Sequence, residues 1–298
     1  MASINSKSKS FAYRMVLPAI LLSIIVHFLP TIWGVIISFR KLNVYYISDW
    51  TKAPFVGFAN YERAMSSLGS VFWTSLGYTT IFVVLSVIGC FLLGILGAIL
   101  LNKDFKGRNL IRGLLLIPFI LPGVVSLTNI RFMLLRDWGI VNSLLMQIGI
   151  IDEPISWLTG RMALFTIIIG NIWIRWPLWF ITILGGLQSI PGELYEAAKV
   201  DGATRWQTFK KITLPSISPV ITILTVLTAL WSFNNFNVPF ILTGGSPSDA
   251  ANILSLNIWI RSFRNWDFGM GAAMSVVMML FMLILIMTYL RLSKLEEA

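Results

Sequence analysis

Residues 64–102 carry no charged side chain, and the part from 71 to 101 is apolar apart from small polar residues. About 20 predominantly apolar residues in a helix cross a bilayer core, so this run is read as one crossing. Reading the chain between its charges in the same way gives five more, at 15–39, 113–130, 162–184, 215–242 and 268–290. Arg175 alone among the charges falls inside a span. The prediction is an all-α polytopic membrane protein with six transmembrane helices at 15–290, an N-terminal tail at 1–14 and a C-terminal tail at 291–298. The first stretch follows Lys7, Lys9 and Arg14 as a signal peptide would. It is longer than a signal h-region and no A-x-A site follows, so it is read as a retained helix.

Composition agrees with a bilayer environment. Only 12% of the 298 residues are charged, against about a quarter in a soluble domain, and 12 Trp with 20 Phe exclude a disordered chain. One Cys and one His leave no disulfide and no multi-thiolate metal site, so no metal is expected. The net charge of +10 raises the question of nucleic acid, and the positions of the charges answer it. The two tails with loops 102–112 and 185–213 hold 13 Lys and Arg in 62 residues; the alternate loops hold 9 in 88. Basic density is thus about doubled on the side holding both termini, which makes that side cytoplasmic. The charge is mainly an orientation signal, and no basic face with interleaved stacking aromatics suggests nucleic acid.

Within the spans, Ser86, Cys90, Gly94 and Ala98 recur every four residues, a stripe of small side chains that lets a second helix approach closely. Pro118 and Pro122 predict a kink in the third span. Polar residues in a span are costly and mark a solute path by default. The fourth span offers Asn171 and Arg175 on one face among Trp173, Trp176 and Trp179; the fifth offers Trp231, Phe233, Asn234, Asn235 and Asn237 in one apolar helix. Amides bond sugar hydroxyls and aromatic rings cover pyranose faces, so a saccharide fits. Arg175 either meets an anionic group on the solute or pairs with a helix C-terminus or a partner subunit's acid. His27, isolated in the first span, reads as a packed residue rather than a proton relay. Asn129 and Arg131 sit at the outer end of the third span, and Trp157, Trp259 and Trp266 read as interfacial belt residues.

Loop 185–213 carries the most specific pattern. Pro191 and Gly192 open a short helix with Glu193 and Glu196 in its first turns, Gly202 breaks it, and a second helix from about 203 to 212 ends before Leu214-Pro215. This predicts a helix–turn–helix at the cytoplasmic surface, between the fourth and fifth spans. The run Glu196-Ala197-Ala198-Lys199-Val200-Asp201-Gly202-Ala203, followed by Phe209, Ile212, Leu214, Pro215 and Pro219, resembles the EAA loop of ABC importer membrane subunits. Leu187 to Tyr195, Phe55 to Tyr61, Phe105-Lys106-Gly107-Arg108 and Leu242-Thr243-Gly244-Gly245 extend the likeness over nearly the whole chain, to the carbohydrate-uptake, maltose-permease-like branch and the first subunit of a permease pair.

The resemblance implies a loop that docks on a cytosolic ATPase subunit through Glu196, Ala197, Ala198, Asp201, Gly202 and Ala203. It also implies a sugar path lined by Asn171, Ile174, Arg175 and Leu178 with Phe233 and Asn234. There the chain departs from the family pattern, with Arg175 where a small residue is expected and Leu178 where an aromatic is expected. An acidic oligosaccharide or a phosphorylated polyol is favoured over a neutral maltodextrin. Implied partners are a second homologous permease in a heterodimer, two ATPase subunits and an extracytoplasmic solute-binding protein, in a bacterial or archaeal cytoplasmic membrane. No G-x-x-x-x-G-K-[ST] motif is present; ATP and Mg are expected on the partners, and the chain itself is not an enzyme. A secondary active transporter is the alternative, opposed by the lack of intramembrane carboxylates.

Overall fold

The computed structural model describes residues 6–66, 70–245 and 249–296, and their regular elements are all helical. Tail residues 1–5 and 297–298 lie outside the described residues, as do Ser67, Leu68 and Gly69. The helices are α1 (Ser6–Ser23), α2 (Leu29–Ser38), α3 (Ala59–Met65), α4 (Val71–Leu101), α5 (Arg108–Ile120), α6 (Gly123–Met133) and α7 (Ile140–Gln147). They continue with α8 (Met162–Gln188), α9 (Gly192–Val200), α10 (Arg205–Thr208), α11 (Leu214–Phe233), α12 (Asn237–Thr243), α13 (Leu254–Trp259) and α14 (Phe268–Glu296). Five helical stretches are long and apolar enough to cross a membrane: Met15–Ser38, Val71–Leu101, Met162–Gln188, Arg205–Phe233 and Phe268–Arg291. Helices α5 and α6, bent by 91° at a short break, meet the same test as a pair and make a sixth when counted as one span.

That break corrects the expected kinked third helix. Leu121 precedes Pro122, and the proline ring pushes it out of the helical region to φ −65°, ψ 141°. Pro122 then starts α6 afresh. The fifth span also differs. Its helix stops at Phe233 and resumes at Asn237, because Asn234 and Asn235 spend their side chains on backbone groups that compete with the helical ladder. At its other end the span begins earlier than predicted. Leu214-Pro215 does not end the second helix of loop 185–213, since a π turn at Phe209–Thr213 joins α10 to α11. A second π turn, Ile24–Phe28, stands before Leu29-Pro30 between α1 and α2. In both cases the residue four before the proline, Lys211 or Val26, lies inside the wider turn. There the carbonyl that the ring would strike is displaced and the helix continues.

The chain divides into two compact units. The larger holds residues 71–257 and the C-terminal part of α14. Its centre is α4 against α8, where Ser86, Cys90, Gly94 and Ala98 are all buried as the spacing predicts. The side chains filling that contact are Trp179, Phe180, Ile183 and Ile217, each fully buried. A Cβ at Gly94 would stand 2.6 Å from Trp179 Cβ and 3.1 Å from the Phe180 backbone nitrogen, so nothing larger than hydrogen fits. Gly94→Ala is expected to destabilise the protein by about 1–3 kcal/mol through forced helix separation. Gly113→Ala, which meets nothing within 4 Å, is expected to be neutral. Thermal unfolding of the purified variants in detergent reads the difference.

The smaller unit comprises residues up to 70 with 258–279. The segment containing Phe55 to Tyr61 folds back on the end of α2. Asn60 donates to the carbonyls of Ser38 and Arg40 at 2.8 Å each, closing orphan acceptors of that terminus. Tyr61 and Ser38 share a 2.6 Å hydroxyl hydrogen bond, and Phe39 packs on the rings of Phe58 and Tyr61. Gly57, at φ +55°, makes the turn that permits this. Arg63 reaches Asp267 at 3.4 Å, and the Gly269 amide donates to Leu42. His27 lies exposed in the π turn of the first span, its carbonyl accepting from Thr31.

Candidate functional site

α8 presents Asn171 and Arg175 one turn apart, as their spacing requires. Asn171 is fully buried. Its Oδ1 accepts from Arg175 Nε and from Asn235 Nδ2, both at 2.9 Å, and its Nδ2 donates to Ser232 Oγ at 3.0 Å. Arg175 Nη2 also reaches the Trp231 carbonyl at 3.4 Å, in the last turn of α11, and the guanidinium lies 5.4 Å from the centre of the Trp231 ring. The break after α11 makes this arrangement. It turns Asn235 back towards Asn171, while Asn235 Oδ1 accepts from the Val238 amide and starts α12. Among the described residues no carboxylate pairs with Arg175. The site is therefore a cation held by neutral dipoles and one aromatic face.

Of the residues predicted for a solute path, the structure brings Asn171, Arg175, Trp231 and Asn235 into this network. Asn171 and Asn235 are buried braces there rather than open lining. Phe233 is buried, packs on Phe281 and lines a separate apolar cavity of about 240 Å³ with Thr80, Thr225 and Tyr289. Asn234 is exposed and donates to the Leu230 carbonyl and Met282 Sδ. Asn237 is exposed at the start of α12, Ile174 is half-buried, and Leu178 packs against the α4–α8 core. Ser232 and Thr228 were not anticipated. Thr228 accepts from Trp179 Nε1 at 2.8 Å, and the signal for both was their i, i+4 spacing on the helix that faces α8.

The loop after α8 is the second candidate element. α9 ends with the Ala203 amide donating to the Ala198 carbonyl at 2.9 Å and the Gly202 amide to Lys199 at 3.2 Å. This is the paired bonding of a Schellman terminus with Gly202 at φ +72°. Thr204 and Gln207 then close a reciprocal capping box that starts α10. The two helices enclose a cleft of about 520 Å³ whose lining includes Leu194, Ala197, Gly202, Ala203, Gln207 and Lys211. Ala198 is buried against this turn; Glu196, Ala197 and Asp201 are exposed. Trp206 stacks on Phe209 yet remains 69% exposed. Tyr195 and Thr213 share a hydrogen bond that ties α9 to the root of the fifth span.

A third arrangement went unread in the sequence. Asn142 of α7 is buried and makes four hydrogen bonds: its amide donates to the carbonyls of Arg136 and Ile155, and its Oδ1 accepts from the Ile155 amide and Trp157 Nε1. Trp157 is thus a structural anchor of this loop rather than a freely placed belt residue. Arg131, Arg136, Asp137 and Trp138 line a pocket beside it.

Comparison with known proteins accords with this architecture. The family described as binding-protein-dependent transport system inner membrane component matches residues 90–295. The trehalose/maltose transport system permease protein MalF of Thermococcus litoralis is 32% identical over 98% of this chain and 97% of that protein. The sulfoquinovosyl glycerol transport system permease protein SmoG of Agrobacterium fabrum is 31% identical over 94% of this chain and 88% of that protein. A crystal structure of a bacterial ABC transporter involved in the import of the acidic polysaccharide alginate matches with a TM-score of 0.79 and 25% identity, over 97% of this chain and 96% of the other. The chain belongs to the inner-membrane components of binding-protein-dependent transport systems and is an ABC transporter permease.

Proposed function

We propose that this permease is the translocation subunit of an ATP-driven importer for an acidic oligosaccharide. The observation that carries the reading is Arg175, a guanidinium within a membrane span whose hydrogen bonds go to the neutral acceptors Asn171 Oδ1 and Trp231 O. An arginine at mid-membrane costs about 2.5–3.5 kcal/mol on insertion scales, and a cation without a fixed counter-charge attracts an anionic group that passes it. The alginate importer's likeness to this chain supports the same cargo class. Its name and those of the sugar permease relatives place saccharides in the cargo of related proteins. The doubled basic density of the tails and of loop 185–213 supports their location in the cytoplasm. There Glu196, Ala197, Asp201, Gly202 and Ala203 offer the docking face for an ATPase subunit, with Ala198 buried behind them. A second homologous permease, two ATPase subunits holding ATP and Mg, and an external solute-binding protein complete the assembly.

Reconstitution of that assembly in proteoliposomes tests the proposal. ATP-dependent, vanadate-sensitive uptake of a uronic oligosaccharide is expected, faster than the measurable uptake of a neutral oligosaccharide of equal length. Equal uptake of both would remove the acidic cargo. Uptake driven by an ion gradient without ATP would establish a secondary transporter instead.

A further inference from the structure

We propose that the pocket at the far end of α6 is an outer saccharide-binding site, which holds an acid group of the incoming oligosaccharide before it reaches Arg175. The inference rests on the acidic cargo and on the orientation above, which puts loop 131–161 on the extracytoplasmic side. The pocket is about 370 Å³, within the roughly 300–1,000 Å³ of small-ligand sites. Its lining includes Arg131, Arg136, Asp137, Trp138, Trp157 and Thr243. Two arginines against one aspartate leave it net positive.

Three features make it a built site. The Arg131 guanidinium makes no hydrogen bond or ion pair to another described residue. Its guanidinium rests where Gly244, at φ +68°, leaves room: a Cβ there would stand 2.6 Å from Nη2. A free planar fork of this kind matches a carboxylate with two parallel hydrogen bonds. Secondly, the walls are fixed, because the four hydrogen bonds of Asn142 lock the backbone at Arg136 and Ile155 and the ring of Trp157. With Nε1 committed to Asn142, Trp157 has only its faces left to offer. Thirdly, Trp138 is 88% exposed beside the arginines, a broad ring suited to the apolar face of a pyranose. A concavity of this size admits a sugar unit, and its free guanidinium beside an exposed ring matches a uronic sugar, which favours the cargo itself over a docking receptor.

Calorimetric titration of the purified permease–ATPase complex, prepared without the solute-binding protein, with a uronic trisaccharide tests it. The Arg175→Gln assembly isolates the outer site and is expected to keep saturable binding. Adding Arg131→Gln to it is expected to weaken that binding about tenfold or more, the loss of a charge-assisted pair. Trp138→Ala, at an exposed position where folding is not at stake, is expected to weaken it as well. Binding by the Arg131→Gln, Arg175→Gln assembly equal to that of Arg175→Gln alone would overturn the proposal. So would an effect of Arg131→Gln confined to the affinity for the solute-binding protein, which would make the pocket a docking surface. Failure of the cargo reading is separately visible, as uptake of the acidic sugar unaffected by Arg175→Gln.

Discussion

Replacing Gly202 with Asp is expected to reduce uptake by about 100-fold or more, the loss of a charge-sensitive docking contact, while the protein still inserts in normal amount. Gly202 has φ +72° and closes the Schellman terminus of α9. A left-handed conformation costs most L-residues about 1–2 kcal/mol, and Asp and Asn less than most because their short polar chains bond locally. Within this chain a Cβ at 202 meets nothing within 4 Å. Neither sterics nor strain is therefore enough to unfold the loop. What Asp adds is a second carboxylate beside Asp201, on the cleft that Asp201 and Gly202 line with Leu194 and Ala197. Gly202→Asn separates the causes, since it has nearly the same shape and backbone tolerance without the charge, and should retain most uptake. Glu196→Lys should fail as Gly202→Asp does. Normal uptake and normal solute-stimulated ATP hydrolysis with Gly202→Asp would sink the coupling role of this loop.

The same loop marks what could be read from sequence. Its first helix, its glycine break and its exposed acidic residue follow from local signals: a helix start after Pro191, acidic first turns and a residue able to take positive φ. Its second helix runs past Leu214-Pro215, which looks like a stop in the sequence. The π turn before it is a cooperative backbone adjustment that no side chain announces. Spans such as Val71–Leu101 were legible because hydropathy sums over many residues. Breaks within spans depend on two or three. Leu121-Pro122 was read as a kink although the restriction on the residue before proline allowed a full break. The break at Asn234–Phe236 needed knowledge that Asn235 would find Asn171, 64 positions away. Partners at that distance are set by packing, which is why the amide cluster was visible as composition but its division into buried braces and a presented cation was not.

Arg175→Met tests that division most sharply. Met fills much of the arginine's length without its charge, and Asn171 keeps its hydrogen bonds to Ser232 and Asn235, so the junction of α8, α11 and α12 should hold. Removing one partner of a desolvated charged pair costs about 2–5 kcal/mol, and each 1.36 kcal/mol is tenfold in rate. Uptake of a uronic oligosaccharide should then fall between about 30-fold and about 5,000-fold. A neutral oligosaccharide of the same length loses no such pair and should be transported no worse than by the unaltered permease. Arg175→Lys retains the charge but not the fork that reaches both Asn171 and Trp231, and should fall between the two for the acidic cargo. The contrast between cargoes is decisive, because a cation that serves only to tie α8 to the end of α11 would, when removed, impair acidic and neutral substrates alike.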